Sequence, residues 1–307
     1  MNIRTVAVLG AGAVGSYFIE GMREKLGERL WVVAEGERKE RLERDGIVVN
    51  GERLSLQVRT PKEAHGADLL LVALKYGALS GSLDAIGQIV DEHTIVMSLM
   101  NGVDSEEIIG ERIGMEHLVY SMMKIAAERR ENSIVYNPDV TQGVFFGEAG
   151  QKEPGERIRA LKALFEGTGV RYHVCEDILR DIWFKYALNI SKNLPQAMLG
   201  CGFGAYEKSS FVADLSRKLR EEVVAVAKAK GIDISDENNS VGQNSAIAPT
   251  ARFSTLQDLD AGRHTEIDMF SGTMLRLGRE LGIPTPYNAF TYDMIKALEE
   301  KNDGVFA

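Results

Sequence analysis

Thr5-Val6-Ala7-Val8-Leu9 runs directly into Gly10-Ala11-Gly12-Ala13-Val14-Gly15, and no other stretch restricts the fold as tightly. The first five residues have the pattern of a strand buried on both faces. Behind the glycines, Val14, Phe18, Ile19 and Met22 recur at helical spacing to about Lys25, and Leu30-Trp31-Val32-Val33 forms the next strand. Strand, glycine turn, helix and strand make a βαβ unit. Within it the glycines have separate tasks: Gly10 permits the tight turn, Gly12 lets backbone approach a pyrophosphate, and Gly15 lets helix and strand pack closely. The helix start offers N–H groups and a partial positive charge to phosphates. A tight turn alone would not need three glycines at this spacing, so the segment Gly10 to Gly15 implies a dinucleotide site on a Rossmann-type, doubly wound sheet.

The end of the second strand separates the two nicotinamide cofactors, because an acid there bonds the ribose 2′-hydroxyl and an arginine accommodates a 2′-phosphate. Here Ala34-Glu35-Gly36-Glu37-Arg38-Lys39 carries both signals. Glu35 favours NADH. Arg38 and Lys39 could hold a phosphate, or could be the exposed start of a helix. Further on, Ile47-Val48-Val49 and Leu54-Ser55-Leu56-Gln57-Val58 flank Asn50-Gly51, a hairpin signal. Asp68 to Lys75 and Thr94 to Met100 read as buried strands that end in Lys75 and in Asn101-Gly102, where ligands of open α/β sheets bind. Lys75 is also explained as a solvated strand end, and Asn101 as a turn former. Later strands are expected at 118–122, 133–136, 143–147 and 170–174.

Size and charge narrow the classes. A chain of 307 residues exceeds what one core organises, so two domains are expected. Net charge −9 argues against a nucleic-acid partner, whose phosphates require clustered lysine and arginine. The two cysteines, Cys175 and Cys201, fit a reducing compartment rather than a disulfide framework, and the five histidines lack metal-ligand spacing. MNIRTVAVLG shows no signal peptide, and no run reaches the roughly 18 apolar residues of a membrane span. The expectation is a cytoplasmic protein without metal, membrane or nucleic-acid partner.

After His173 the period changes. Apolar residues recur at helical spacing from Ile178, then through 211–229, 267–281 and 287–298, so a Rossmann domain of residues 1–173 and an all-helical domain of 174–307 are expected. Within the first of these helices, Lys185, Asn189 and Asn193 stand at intervals of four and share one face. Two asparagines in line with a lysine are not a pattern that packing selects. A solvated helix face would give the same spacing. Downstream, Thr265-Glu266-Ile267-Asp268 can be read as a capping box with Glu266 as a first-turn acid, and Ser254 as a loop or cap serine.

Taken together, the glycine fingerprint, Leu74-Lys75, Asn101-Gly102, the Lys185/Asn189/Asn193 stripe, Ser254 and Thr265 to Asp268 resemble the ketopantoate reductase (2-dehydropantoate 2-reductase) family over nearly the whole chain. The resemblance implies nicotinamide-dependent reduction of a 2-oxo acid, in the best-known case a step toward pantothenate. It assigns Lys185 as general acid, with Glu266 contacting both the cofactor ribose and the substrate. Asn189 and Asn193 would bind substrate oxygens, Ser254 the carboxylate, and Asn101 both substrate and cofactor side. Residues Gly10, Ala11, Gly12, Ala13, Val14, Gly15, Glu35 and Lys75 complete the cofactor set. NADPH is the implied cofactor and a homodimer is compatible. Two departures stand out: Glu35 replaces the family's arginine, and Leu199 to Gly204 lacks an additional substrate asparagine. The first leaves NADH open; the second leaves room for a different 2-oxo acid. A dinucleotide-binding sensor without chemistry would share the glycine loop but has no use for Lys185 and Glu266.

Overall fold

Val6 and Val8 of strand β1 (Val6–Leu9) enter one apolar cluster, while Ala7 and Leu9 enter another on the opposite face. Layers on both sides of a sheet demand strands without a polar face, which is why the first strand reads as an unbroken apolar run. The same division recurs in β6 (Leu69–Val72), where Leu69 and Leu71 face one layer and Leu70 and Val72 the other.

The computed structural model describes residues 2–130, 133–151, 153–236 and 247–306, and the chain divides into two units, Met1–Ile178 and Leu179–Ala307. The first unit also contains β2 (Leu30–Val33), β3 (Ile47–Val49), β4 (Glu52–Leu54), β5 (Gln57–Arg59) and β7 (Ile95–Ser98). It is completed by β8 (Leu118–Lys124), β9 (Ala127–Arg130), β10 (Ser133–Tyr136), β11 (Gly143–Gly147) and β12 (Tyr172–Val174). Eight strands form the main sheet in the order β12-β11-β8-β7-β6-β1-β2-β5. Every adjacent pair is parallel except β8 with β11. The chain passes from β1 to β2 on one side and to β6 on the other, so the strand order reverses at β1, where α/β sheets bind ligands.

A smaller sheet, β4-β3-β10-β9, holds the expected hairpin. Asn50 (φ 49°) and Gly51 (φ 85°) both adopt the left-handed backbone of a two-residue hairpin turn. That turn sets Val49 opposite Glu52 and Ile47 opposite Leu54. The second arm is therefore Glu52–Leu54 rather than 54–58, and Gln57–Arg59 instead joins the main sheet beside β2. β6 and β7 are also shorter than their apolar runs. The chain after β1 leaves the sheet at Gly10, and the last ladder bonds run from Ala73 N–H to the Leu9 carbonyl and from Leu99 N–H to the Val72 carbonyl.

The second unit is helical among its described residues. Its first helix, Ile178–Leu188, continues through a π turn, Asn189–Asn193, into Leu194–Leu199. Ser210–Ala229 packs against that π turn. A second π turn, Asp268–Gly272, opens Thr273–Leu281, and Pro286–Asn302 closes the unit. No apolar period in the sequence marks the short helix Ser254–Asp260. No helix among the described residues is long and apolar enough to cross a membrane.

Candidate functional site

The nominated residues fall into two sets, one in each unit. In the first unit, Gly10 has φ 108°, and a Cβ there would stand 2.4 Å from the Ala73 carbonyl oxygen. A Cβ on Gly15 would stand 1.8 Å from the carbonyl oxygen of Gly10. Both glycines are thus required by the protein's own packing. Gly12 is different: a Cβ there would meet no protein atom within 4 Å. The protein does not need a glycine at this position, whereas a pyrophosphate lying against the backbone does. Gly12 caps the helix Ala13–Leu26, whose first turn carries no acid to compete with an anion. Ala11, Ala13 and Val14 complete this loop, and the residues fit the dinucleotide that the fingerprint implies.

The other members of this set follow the C-terminal ends of β2, β6 and β7. Glu35 is exposed two residues beyond β2 and immediately precedes the helix Gly36–Asp45. Lys39, one of the two cations that could hold a 2′-phosphate, is bound to Glu63 at 3.1 Å and Glu43 at 3.3 Å. The bond to Glu63, chiefly, raises its pKa. Lys75 caps the short 3₁₀ turn Tyr76–Ala78, and Asn101 is half-buried beyond β7. The two segments are joined: the Tyr76 hydroxyl donates to Asp104 Oδ2 at 2.8 Å.

At the ends of the loop bearing Asn101 lies a polar network that the sequence does not single out. Ser98 Oγ and Ser105 Oγ are 2.8 Å apart, Ser105 donates to Glu106 Oε2 at 2.8 Å, and the Ser121 hydroxyl donates to the Ser98 carbonyl. Burial pushes the Glu106 carboxyl up to about 7, against the lowering effect of the bonds from Ser105 and from the Ser121 N–H. The network fixes both ends of the loop carrying Asn101.

In the second unit the stripe is not a solvated face. Lys185 and Asn189 are half-buried and Asn193 is 7% exposed. The π turn Asn189–Asn193 explains how polar groups are tolerated there: it breaks the regular helical hydrogen bonding, a device common at functional sites. Its backbone is supported by the Tyr206 hydroxyl, which donates to the Lys192 carbonyl at 2.5 Å.

Glu266 stands two residues before the second π turn, which packs against the first. The capping box read from Thr265 and Asp268 is not formed. Thr265 donates through both its N–H and its hydroxyl to Glu299 Oε1 at 2.7 Å, and its hydroxyl accepts from the N–H of Ile267 rather than Asp268. Asp268 turns to Tyr292 at 2.7 Å and Lys296 at 2.9 Å. Burial acts against its ionisation, but the bonds from Lys296 and Tyr292 prevail and hold its carboxyl below the ordinary range. Half-buried Glu266 is therefore set between an anchored threonine and an anchored aspartate.

Ser254 is exposed and is the first helical residue of Ser254–Asp260, with Phe253 as the cap residue, so it is not the cap. The backbone leading to it is held by Gln196, a fully buried amide three residues beyond Asn193. The sequence singles out neither Gln196 nor Tyr186, whose buried hydroxyl donates to the Phe270 carbonyl. The helical interval from Asn193 to Gln196 is the one signal that could have marked the first.

These two residue sets coincide with the two parts of one sequence family. The pattern of "Ketopantoate reductase PanE/ApbA" matches residues 6–157, and that of "Ketopantoate reductase PanE/ApbA C terminal" matches residues 177–299. The chain belongs to the ketopantoate reductase family. This reductase is 26% identical over 318 residues to the 2-dehydropantoate 2-reductase of Mesorhizobium japonicum, covering 95% of the present chain and 96% of the other. It superposes on the crystal structure of a PanE/ApbA family ketopantoate reductase from Ralstonia eutropha with TM-score 0.81 and 25% identity, covering 97% and 99% of the two chains. The ternary structure of D-mandelate dehydrogenase with NADH and anilino(oxo)acetate shares the fold at TM-score 0.79 and 22% identity, with coverage of 97% and 99%. The reductase is accordingly an NAD(P)H-dependent oxidoreductase.

Proposed function

We propose that this enzyme reduces a small 2-oxo acid to the 2-hydroxy acid, with 2-dehydropantoate to pantoate as the leading pair, in the cytoplasm and as part of pantothenate biosynthesis. The observation that carries the reading is the half-buried stripe Lys185, Asn189 and Asn193, whose π turn packs against the turn following Glu266.

Reduction of a ketone places alkoxide charge on its oxygen. A positioned ammonium stabilises that charge and supplies the proton, so Lys185 acts as the general acid. Asn189 and Asn193 offer amide donors and acceptors to the substrate oxygens, and the Ser254 hydroxyl donates to the carboxylate. Glu266 orients substrate and cofactor ribose. The loop Gly10 to Gly15 and the start of helix Ala13–Leu26 hold the pyrophosphate, with Glu35 on the adenosine ribose and Lys75 and Asn101 on the nicotinamide side. When bound, the reduced nicotinamide supplies the hydride.

NADPH is the cofactor the family implies, and Glu35 makes NADH the alternative. A second reading, a different 2-oxo acid, draws on the segment from Leu199 to Gly204. It offers no asparagine and is bound instead to the chain ahead of Ser254, through Phe203 N–H to Ala251 and Gly204 N–H to Pro249. A homodimer is the expected assembly.

The test is the loss of nicotinamide absorbance when purified enzyme is mixed with 2-dehydropantoate or benzoylformate and either NADPH or NADH. Lys185→Ala is expected to lower kcat by about 10²-fold or more, with cofactor Kd nearly unchanged. No turnover of either acid with either cofactor, or full activity of Lys185→Ala, would overturn the proposal.

A further inference from the structure

Gln196 is a polar side chain with no exposure, and both ends of its amide are committed. Its Nε2 donates to the Ala251 carbonyl at 3.1 Å and its Oε1 accepts the Phe253 N–H at 3.0 Å. The amide therefore pairs with the backbone as a neighbouring strand would, and Ser254 is the next residue. A buried amide satisfied in this way resists displacement, because breaking one bond leaves a group unpaired away from water.

The same segment is braced from another side. Ala251 also accepts the Phe203 N–H at 3.0 Å, and the Phe203 and Phe253 rings meet edge to face at 5.7 Å. Gln196 alone among these contacts lies on the helix that Asn193 starts, at an interval of three that sets the two side chains side by side.

We propose that Gln196 is a positioning residue that fixes Ser254 relative to Asn193 and so sets which 2-oxo acids the helical unit accepts. The inference rests on the reading above, in which Asn193 and Ser254 both hold the substrate. The oxygens of a 2-oxo acid are separated by a distance its own bonds fix. A rigid link between the two groups that bind them converts that distance into selectivity.

The test compares Gln196→Met, which keeps the length of the side chain and removes both hydrogen bonds, with Ser254→Ala and the double variant. For 2-dehydropantoate, Gln196→Met should raise KM roughly tenfold with kcat little changed and cofactor Kd unchanged. The preference between 2-dehydropantoate and benzoylformate should narrow. If Gln196 acts through Ser254, the double variant will be no worse than Ser254→Ala. Should Gln196→Met fail to fold, Gln196→Glu, which keeps an acceptor for Phe253, is measured in its place with the same expectations at smaller amplitude. A rise in KM for Ser254→Ala with none for the Gln196 variant, or with fully additive effects, overturns the role of Gln196. An unchanged KM for Ser254→Ala instead removes the substrate role of Ser254, and the inference falls with it.

Discussion

The hydroxyl of Tyr186 donates to the carbonyl oxygen of Phe270 at 2.6 Å, and it also reaches the Met269 carbonyl at 3.1 Å. Tyr186 follows Lys185 in the first helix of the second unit, and Phe270 sits in the π turn that follows Glu266. One buried phenol, 1% exposed, thus ties the helix carrying the proposed acid to the turn that follows the proposed carboxylate. Its position is chemically favoured, because a π turn leaves carbonyl oxygens that need donors from elsewhere.

Tyr186→Phe keeps the ring and its packing against Trp183 and Phe270 but removes the donor. The expected cost is about 1–2 kcal/mol in urea unfolding, with the slope of the transition unchanged. If the bond also orients Lys185, kcat will fall by several-fold while cofactor affinity stays constant. Unchanged stability would show that the carbonyls are satisfied without the phenol.

The fingerprint glycines separate into positions that the protein's packing requires and one, Gly12, that it leaves open for the proposed pyrophosphate, and two alanine variants should divide accordingly. At Gly15 the added methyl would sit 1.8 Å from the Gly10 carbonyl oxygen, so helix and turn must part. A loss of about 3 kcal/mol is expected for Gly15→Ala. At Gly12 the methyl meets no protein atom within 4 Å, so Gly12→Ala should stay within about 1 kcal/mol of the parent protein. Its dinucleotide Kd should nevertheless rise by roughly tenfold or more, because the methyl would occupy the space proposed for the pyrophosphate. Thermal melts and cofactor titrations of the two variants check the division. Equal effects on stability would refute it.

Much of the architecture was legible because it depends on local chemistry. Apolar runs such as Leu69 to Val72 announced strands covered on both faces, and Gly10 to Gly15 announced the turn that places them. Asn50-Gly51 announced a hairpin, yet its second arm lies at Glu52–Leu54, because a two-residue turn fixes the register whichever neighbouring run is more apolar. The site residues were legible as residue types at helical intervals, but their surroundings were not. Neither π turn has a sequence period of its own; each depends on a tyrosine hydroxyl brought from elsewhere in the chain, Tyr206 for one and Tyr186 for the other. Gln196 looks like any helical glutamine until the backbone of 251–253 lies beside it. Thr265 to Asp268 fits a capping box until Glu299 takes the threonine and Tyr292 and Lys296 take the aspartate.

Glu106 supplies a prediction about pH. Its carboxyl is raised from its ordinary 4.5 to about 7, first by burial and further by the charge of Asp104, with the bonds from Ser105 and the Ser121 N–H pulling the other way. Between those two values the folded protein holds a proton that the unfolded chain has released. Stability conferred by that proton is complete below pH 4.5 and is lost as pH rises toward 7. The full change across this window is roughly 3 kcal/mol. Glu106→Gln keeps the shape and an acceptor for the Ser105 hydroxyl but cannot ionise. The difference in unfolding free energy between parent and variant should therefore shift in favour of the variant from pH 5 to pH 8, whatever other groups titrate in common. Because Ser98 and Ser105 bracket the loop bearing Asn101, the parent protein should also lose cofactor affinity over that range, and the variant should lose less. Parallel unfolding curves at every pH would mean that Glu106 titrates as an ordinary carboxyl and that its network does not govern the loop.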